Sequence, residues 1–306
     1  MRRRKGMTRR DFLQGTARIA LAGAASGAAL AQGTAGPAPA AAEQSASRAK
    51  VILVRDANAV DAGGNVNAEV LQRMLDDAVA ALMGEKEPVA AWKKVVKPDD
   101  IVGIKSNVAG PPRTPPELEA AIKRRVIDAG IAEDRVSVDD RGVLKNPVFQ
   151  KATALVNARP MRAHDWAGVG SLLKNYLMFS DSPSSWHPDS CADLAGLWDL
   201  PMVRGKTRLN ILVMLVPLFH GKGPHSYQKE YTWNYNGLVV GVDPVACDAT
   251  GLRIMEAKRL AHFGEVQPFP VSPKHIQVAQ DKFHLGVADA NRIDVQKIGW
   301  ERDVLI

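Results

Sequence analysis

The sequence predicts an α/β protein, a single large domain built on a mainly parallel central sheet with helices on both faces. Three observations carry this. Short continuous apolar runs, the mark of strands covered on both faces, alternate with segments of helical period. The first five elements follow the order β-α-β-α-β, which calls for crossover helices and parallel neighbours. No Pro/Gly/Ser-rich linker divides the roughly 255 residues from Lys50 onward, a length that suits one sizeable core.

Each element has its own signal. Val51-Ile52-Leu53-Val54 is the first apolar run and reads as a strand. From Asn67 to Met83, Val70, Leu71, Met74, Leu75, Ala78, Val79 and Leu82 recur at three and four residues, with Asn67 as N-cap and Gly84 as stop. Ile101 to Ile104, entered through Pro98-Asp99-Asp100, is the second strand. Thr114-Pro115-Pro116-Glu117 opens a helix that runs through Leu118, Ile122 and Val126 to Gly130. Proline suits a first turn because its missing N–H would lack a partner there. Val136-Ser137-Val138 is the third strand, and the crossovers are expected to be right-handed.

The middle of the chain is less regular. Ala154 to Ala163 reads as a strand, Val169 to Met178 as a helix, and Ser180 to Pro188 as a loop. Leu209 to Phe219 is the most apolar stretch beyond the N-terminal region and contains a buried strand over Asn210 to Val216. Pro217 marks its end or its arrival at an edge. Leu238 to Val242 is another strand. Asp243-Pro244 then caps a helix to about Leu260, with Val245, Ala249, Leu252 and Met255 on one face. A helix around His275 to Phe283 and a strand from Arg292 to Val295 complete the order.

The N-terminal region reads as an address. Thr8-Arg9-Arg10-Asp11-Phe12-Leu13-Gln14 resembles the twin-arginine export motif. The apolar run from Ile19 to Ala31 is shorter than the ~20 residues that span a bilayer as a helix. It ends in Ala29-Leu30-Ala31, the small-x-small pattern of a signal peptidase site. Residues 1–31 are therefore expected to be a twin-arginine signal peptide, with Met7 as an alternative start. Residues 32–49, rich in Ala, Gly, Pro and Ser, are expected to be a flexible linker. This predicts passage through the twin-arginine translocase, a periplasmic or extracellular location and no stable membrane span.

The charge of +7 is concentrated in that leader. Residues 1–31 hold seven basic side chains and one acid, which leaves 33 basic against 32 acidic groups beyond them. A phosphate-backbone binder needs a basic surface, so no nucleic-acid partner is expected. Cys191 and Cys247 are the only cysteines. They either pair or stay separate, and two are too few for an ordinary iron–sulfur cluster or a zinc finger.

Four segments carry candidate chemistry. Lys105 and Asn107 follow the second strand, at the carboxyl edge where open parallel sheets collect ligands, and Gly110 to Thr114 leads on to a helix N-terminus suited to anions. No Walker or G-x-G-x-x-G pattern indicates a nucleotide. In His220-Gly221-Lys222-Gly223-Pro224-His225, the glycines permit close approach of a ligand, and Lys222 and His220 suit anions. His220 and His225 are also weak candidates for a divalent cation, without regular metal spacing; the plainer reading is a basic turn. Asp243 suits a helix N-cap, and Asp248, further along that helix, suits a base or a cation ligand. Lys174-Asn175, with the Trp186-His187 loop, suits closure over a substrate. Neither G-x-S-x-G nor H-E-x-x-H occurs.

Taken in order, these segments resemble the family called domain of unknown function 362. The resemblance rests on Pro98 to Asn107, Leu173 to Tyr176, His187-Pro188, Gly223-Pro224, Gly241 to Asp248, and the tail Leu285 to Asp289 with Arg292-Ile293. It runs from about Val51 to the C-terminus. It implies an α/β fold and a shared site, and some relatives carry a ferredoxin-like iron–sulfur module whose cysteines this chain lacks. The expected function is action on a small anionic ligand. Lys105, Lys174 and Lys222 would supply charge, Asn107 and Asn175 hydrogen bonds, Gly223 and Asp243 further binding contacts, and Asp248, His187 or Lys105 the catalytic work. The competing expectation is a non-catalytic extracytoplasmic binding or maturation protein serving a redox partner.

Overall fold

The computed structural model describes residues 48–306; the expected signal peptide and nearly all of the expected linker lie outside the described residues. Eight strands form one mixed, mostly parallel sheet: β1 (Ala49–Arg55), β2 (Val102–Lys105), β3 (Val136–Asp139), β4 (Ala154–His164), β5 (Gly168–Gly170), β6 (Thr207–Leu218), β7 (Gly237–Gly241) and β8 (Ile293–Gly299). Their order is β3-β2-β4-β6-β7-β1-β8, with β5 paired antiparallel to the end of β4. β7 runs antiparallel to both β6 and β1; the other neighbours on the path are parallel.

Alternation along β1 divides the core. Ile52 and Val54 face one side, Val51 and Leu53 the other. The first side is covered by α1 (Ala68–Met83), α2 (Pro88–Val95) and α3 (Pro116–Asp128), through Leu71, Leu75, Trp92, Leu118 and Ile122. Asn67 caps α1 by accepting from the Glu69 and Val70 N–H groups, and Gly84 ends it in the left-handed conformation that a side chain would disfavour. The second side is covered by α4 (Pro147–Lys151), α5 (Leu172–Asn175), α6 (Pro244–Phe263) and α7 (His275–Asp281). Full burial of an aliphatic side chain in either layer contributes about 1.5–3 kcal/mol.

The elements depart from expectation in two places. α2 has too few turns for its period to stand out. The segment Val169 to Met178 is not one helix: β5 takes its start, and a single turn, α5, and a 3-10 turn follow. Gly168, Gly170 and Ser171 weaken helix formation there. As expected, Pro217 lies at an edge: β6 ends at Leu218, and Pro217 is beyond the last β7 partner at Met214, where the missing N–H leaves no β7 ladder bond unmade.

One asymmetry positions the site. β2 and β3 stop at Lys105 and Asp139, level with Asn157 of β4, while β4 continues to His164. A step is left at the carboxyl end of β2, with the far half of β4 as its wall. Among the described residues, no helix is long and apolar enough to cross a membrane.

Candidate anion-binding site

A cavity of about 370 Å³ occupies this step, lined among others by Asn107, Arg159, Arg162, Lys174, His187 and His225. Two of its cations come from β4. Residues three apart on a regular strand point to opposite faces. β4 keeps this alternation through Pro160, with Ala158 in the first core layer and Met161 and Ala163 in the second. Both guanidinium groups nevertheless line the same cavity, because β2 ends level with Asn157 and leaves this edge of β4 open to side chains from either face. Arg162 is braced, donating to the Pro112 carbonyl at 2.6 Å and to Asn107 Oδ1 at 3.1 Å. Arg159 is only 3% exposed, and its side chain has no hydrogen bond or ion pair among the described residues. Gly170 gives it room, since a Cβ there would sit 2.8 Å from an Arg159 Nη atom.

The third cation is Lys174 on α5. A one-turn helix cannot hold itself, so α5 is held from outside. Asp248, fully buried in α6, accepts from Ser171 Oγ at 2.6 Å and from the Leu172 and Leu173 N–H groups, each at 2.9 Å. At the other end, Asn175 Nδ2 donates to Asn157 Oδ1 at 2.8 Å and to the Lys105 carbonyl at 3.2 Å. The Lys105 ammonium lies behind the cavity wall. It donates to Asp140 Oδ1 at 2.5 Å and to the Ser106 carbonyl at 2.7 Å, and it lies 3.4 Å from Asn175 Oδ1. Lys174 is placed differently. Among the described residues its Nζ meets only Cys191 Sγ, at 3.5 Å, and no carboxylate.

Burial and mutual repulsion set the charges. Burial pulls the Lys174 ammonium down to about 8; the neighbouring Cys191 opposes this, and Arg159 adds to it. Arg159 and Arg162 fall to about 10 and about 9, chiefly through burial, and stay charged at neutral pH. Burial also lowers Lys105 to about 8, with Asp140 pulling back. Burial pushes the Asp140 carboxyl up, but Lys105 and the Val108 N–H outweigh it and hold it below the usual range. That pair is ionised at neutral pH. His164 is kept neutral by burial and by Lys174, Arg159 and Arg162. Its Nδ1 accepts from the Trp166 N–H at 3.2 Å.

Aromatic rings frame the mouth. Trp166 packs edge-on to His187, with ring centroids 4.6 Å apart, and lies 4.7 Å from His225. His225 Nδ1 sits 3.0 Å from Asp165 Oδ2; since a carboxylate only accepts, this nitrogen carries the proton. In the neutral ring Nε2 is then the free acceptor. Gly223 has φ +72, and a Cβ on it would lie 2.5 Å from the Ala163 carbonyl oxygen, so only glycine brings this loop against β4.

Of the residues singled out in the sequence, Asn107, Lys174, Asn175 and His187 line the cavity, and Lys105 and Asp248 brace its wall. Lys222 is exposed and does not line it, while Gly223 is a buried turn position. Asp243 is the N-cap of α6, accepting from the Val245, Ala246 and Val287 N–H groups, and belongs to a separate recess with Lys50 and Leu285. His220 packs against Tyr231 and Phe263 and lies 3.1 Å from an Arg259 nitrogen. No group of three or more His, Cys, Asp or Glu among the described residues is placed to hold a metal ion. Cys191 and Cys247 are unpaired and buried. The sequence reading missed Arg159, Arg162, His164, Asp165 and Trp166. No protein-family model, no curated protein and no solved structure matches the chain.

Proposed function

We propose that this chain is an exported protein of the type of domain of unknown function 362, and that it binds a small anion at the carboxyl edge of its sheet. One observation carries the reading: a buried guanidinium, Arg159, faces the cavity with no protein partner among the described residues. An unpaired buried charge is costly, and a bound anion would offset that cost. Arg162 and Lys174 add two more cations, and Asn107 and Asn175 hold them in place. A guanidinium matches the geometry of carboxylate and phosphate oxygens. The twin-arginine motif supports export of the chain.

The test is thermal stabilisation by phosphate, sulfate and simple carboxylates, compared with Arg159→Met. The parent is expected to gain melting temperature with at least one of these anions, and the variant to lose that gain. Equal stabilisation of both proteins would reject Arg159 as the anchor, and no stabilisation by any anion would reject the reading.

A further inference from the structure

The two buried lysines of this region are not equivalent. Lys105 has its ammonium surrounded by acceptors, with Asp140 as counter-charge, as a structural buried lysine requires. Lys174 has no such set: its Nζ touches a sulfur, lies in the field of Arg159, and opens on the cavity. Pinning of α5 by Asp248 and Asn175 fixes its backbone. Desolvation and neighbouring cations activate an amine as a nucleophile. Next to this amine are two guanidinium groups suited to a carboxylate.

Resting on the anion-binding reading, we infer that Lys174 is an amine nucleophile that condenses with the carbonyl of a 2-oxo acid whose carboxylate is held by Arg159 and Arg162. In such an acid the carbonyl carbon is bonded directly to the carboxylate, so an anchored carboxylate brings the reacting carbon next to the anchor. The Nζ lone pair adds to the carbonyl carbon. Both N–H protons of the neutral amine then leave with the carbonyl oxygen as water, and a C=N bond forms. The carbon chain is neither oxidised nor reduced. His225, oriented by Asp165 at the mouth, is a base suited to carry a proton from the nitrogen to the departing oxygen. Burial favours the reactive free-base form of this side chain over that of an exposed lysine.

The experiment treats the purified full chain with pyruvate and sodium cyanoborohydride and locates the reduced adduct by peptide mass mapping. Lactate, which has the same carboxylate but no carbonyl, is the parallel probe for thermal stabilisation and the competitor. The expected result is an adduct on Lys174 in roughly tenfold or greater excess over any other lysine. It is lost in Lys174→Met and in Lys174→Arg, and reduced by lactate. The unfolded chain should show no such preference. Melting curves identify any variant that fails to fold, and the parent's adduct map stands without the variants. Labelling spread evenly over exposed lysines, or absent from Lys174, overturns the inference. If lactate stabilises the protein and Lys174 stays unlabelled, only the condensation fails. If neither pyruvate nor lactate stabilises or labels it while phosphate or sulfate does, the oxo-acid assignment fails. If no anion acts at all, the anion-binding reading fails with it.

Discussion

Asp248 and Lys105 stand at opposite ends of one four-residue helix. Asp248 accepts from the N–H groups of Leu172 and Leu173 at its start, and Asn175 at its end donates to the Lys105 carbonyl. The two residues lie far apart in the sequence and are joined through α5, whose Lys174 lines the cavity with the arginines and Trp166. Neither spends its polar groups on the cavity itself. Each positions what does.

Removing the Asp248 carboxylate should therefore loosen α5 and the site together. Asp248→Ala leaves the Ser171 hydroxyl and two buried N–H donors without their acceptor. It is expected to lower stability by about 2–4 kcal/mol, measured by denaturant unfolding. Asp248→Asn keeps an acceptor oxygen and should lose less. In both variants anion-dependent stabilisation should weaken more than in a surface control such as Glu265→Gln.

Lys105 and Asp140 form a buried pair, with side chains 0% and 3% exposed. Lys105→Met strands the carboxylate and is expected to cost about 3–5 kcal/mol. The double variant Lys105→Met with Asp140→Leu removes both charges and should recover a large part of that loss. Chemical denaturation of the two single variants, the double variant and the parent gives the coupling energy directly.

Affinity for a simple anion should fall as pH rises through about 8, because Lys174 loses its proton there while both arginines keep theirs. Lys174→Met should flatten that profile in calorimetric titrations with phosphate. Stability in the absence of ligand has the opposite sign. The folded-state ammonium titrates below its ordinary value of 10.5, so between about 8 and that value the unfolded chain binds more protons. The cost of burying the cation is relieved across that window, and unfolding free energy should rise with pH in the parent relative to Lys174→Met.

Export is checked at Arg9 and Arg10. Exchange of both for lysine keeps the charge but removes the twin-arginine motif. The full chain is expected to stay in the cytoplasm of a host with a working twin-arginine translocase, whereas the parent reaches the periplasm. Fractionation followed by immunoblotting gives the distribution.

Much of the architecture was legible because the relevant signals are local. The period of Val70 to Leu82 with the Asn67 cap, the apolar run at Val51 and the Pro115-Pro116 helix start each depend on residues a few positions apart. The site was legible where it follows strand ends, as at Lys105 and Asn107, where it lies in a helical Lys-Asn pair, and at His187 in its loop. Arg159 and Arg162 were hidden for a physical reason. An alternating strand reading assigns them to opposite faces, and they share a cavity only because β2 stops at Lys105, short of both. The clue was two arginines and a histidine within a strand buried along its whole length. Asp165 and His225 meet across 60 positions, and no spacing rule joins them.

The segment of β4 around Pro160 also governs how the site meets its ligand. Both guanidinium groups hang from one ladder-bonded segment, so their separation is a property of chain geometry and does not wait for a mobile arm to settle. A visiting molecule finds its cradle already assembled, and little ordering entropy is subtracted from the attraction. Insertion or deletion of a single residue there would turn one of the two arms away and dismantle the cradle, even though every side chain that forms it were still encoded.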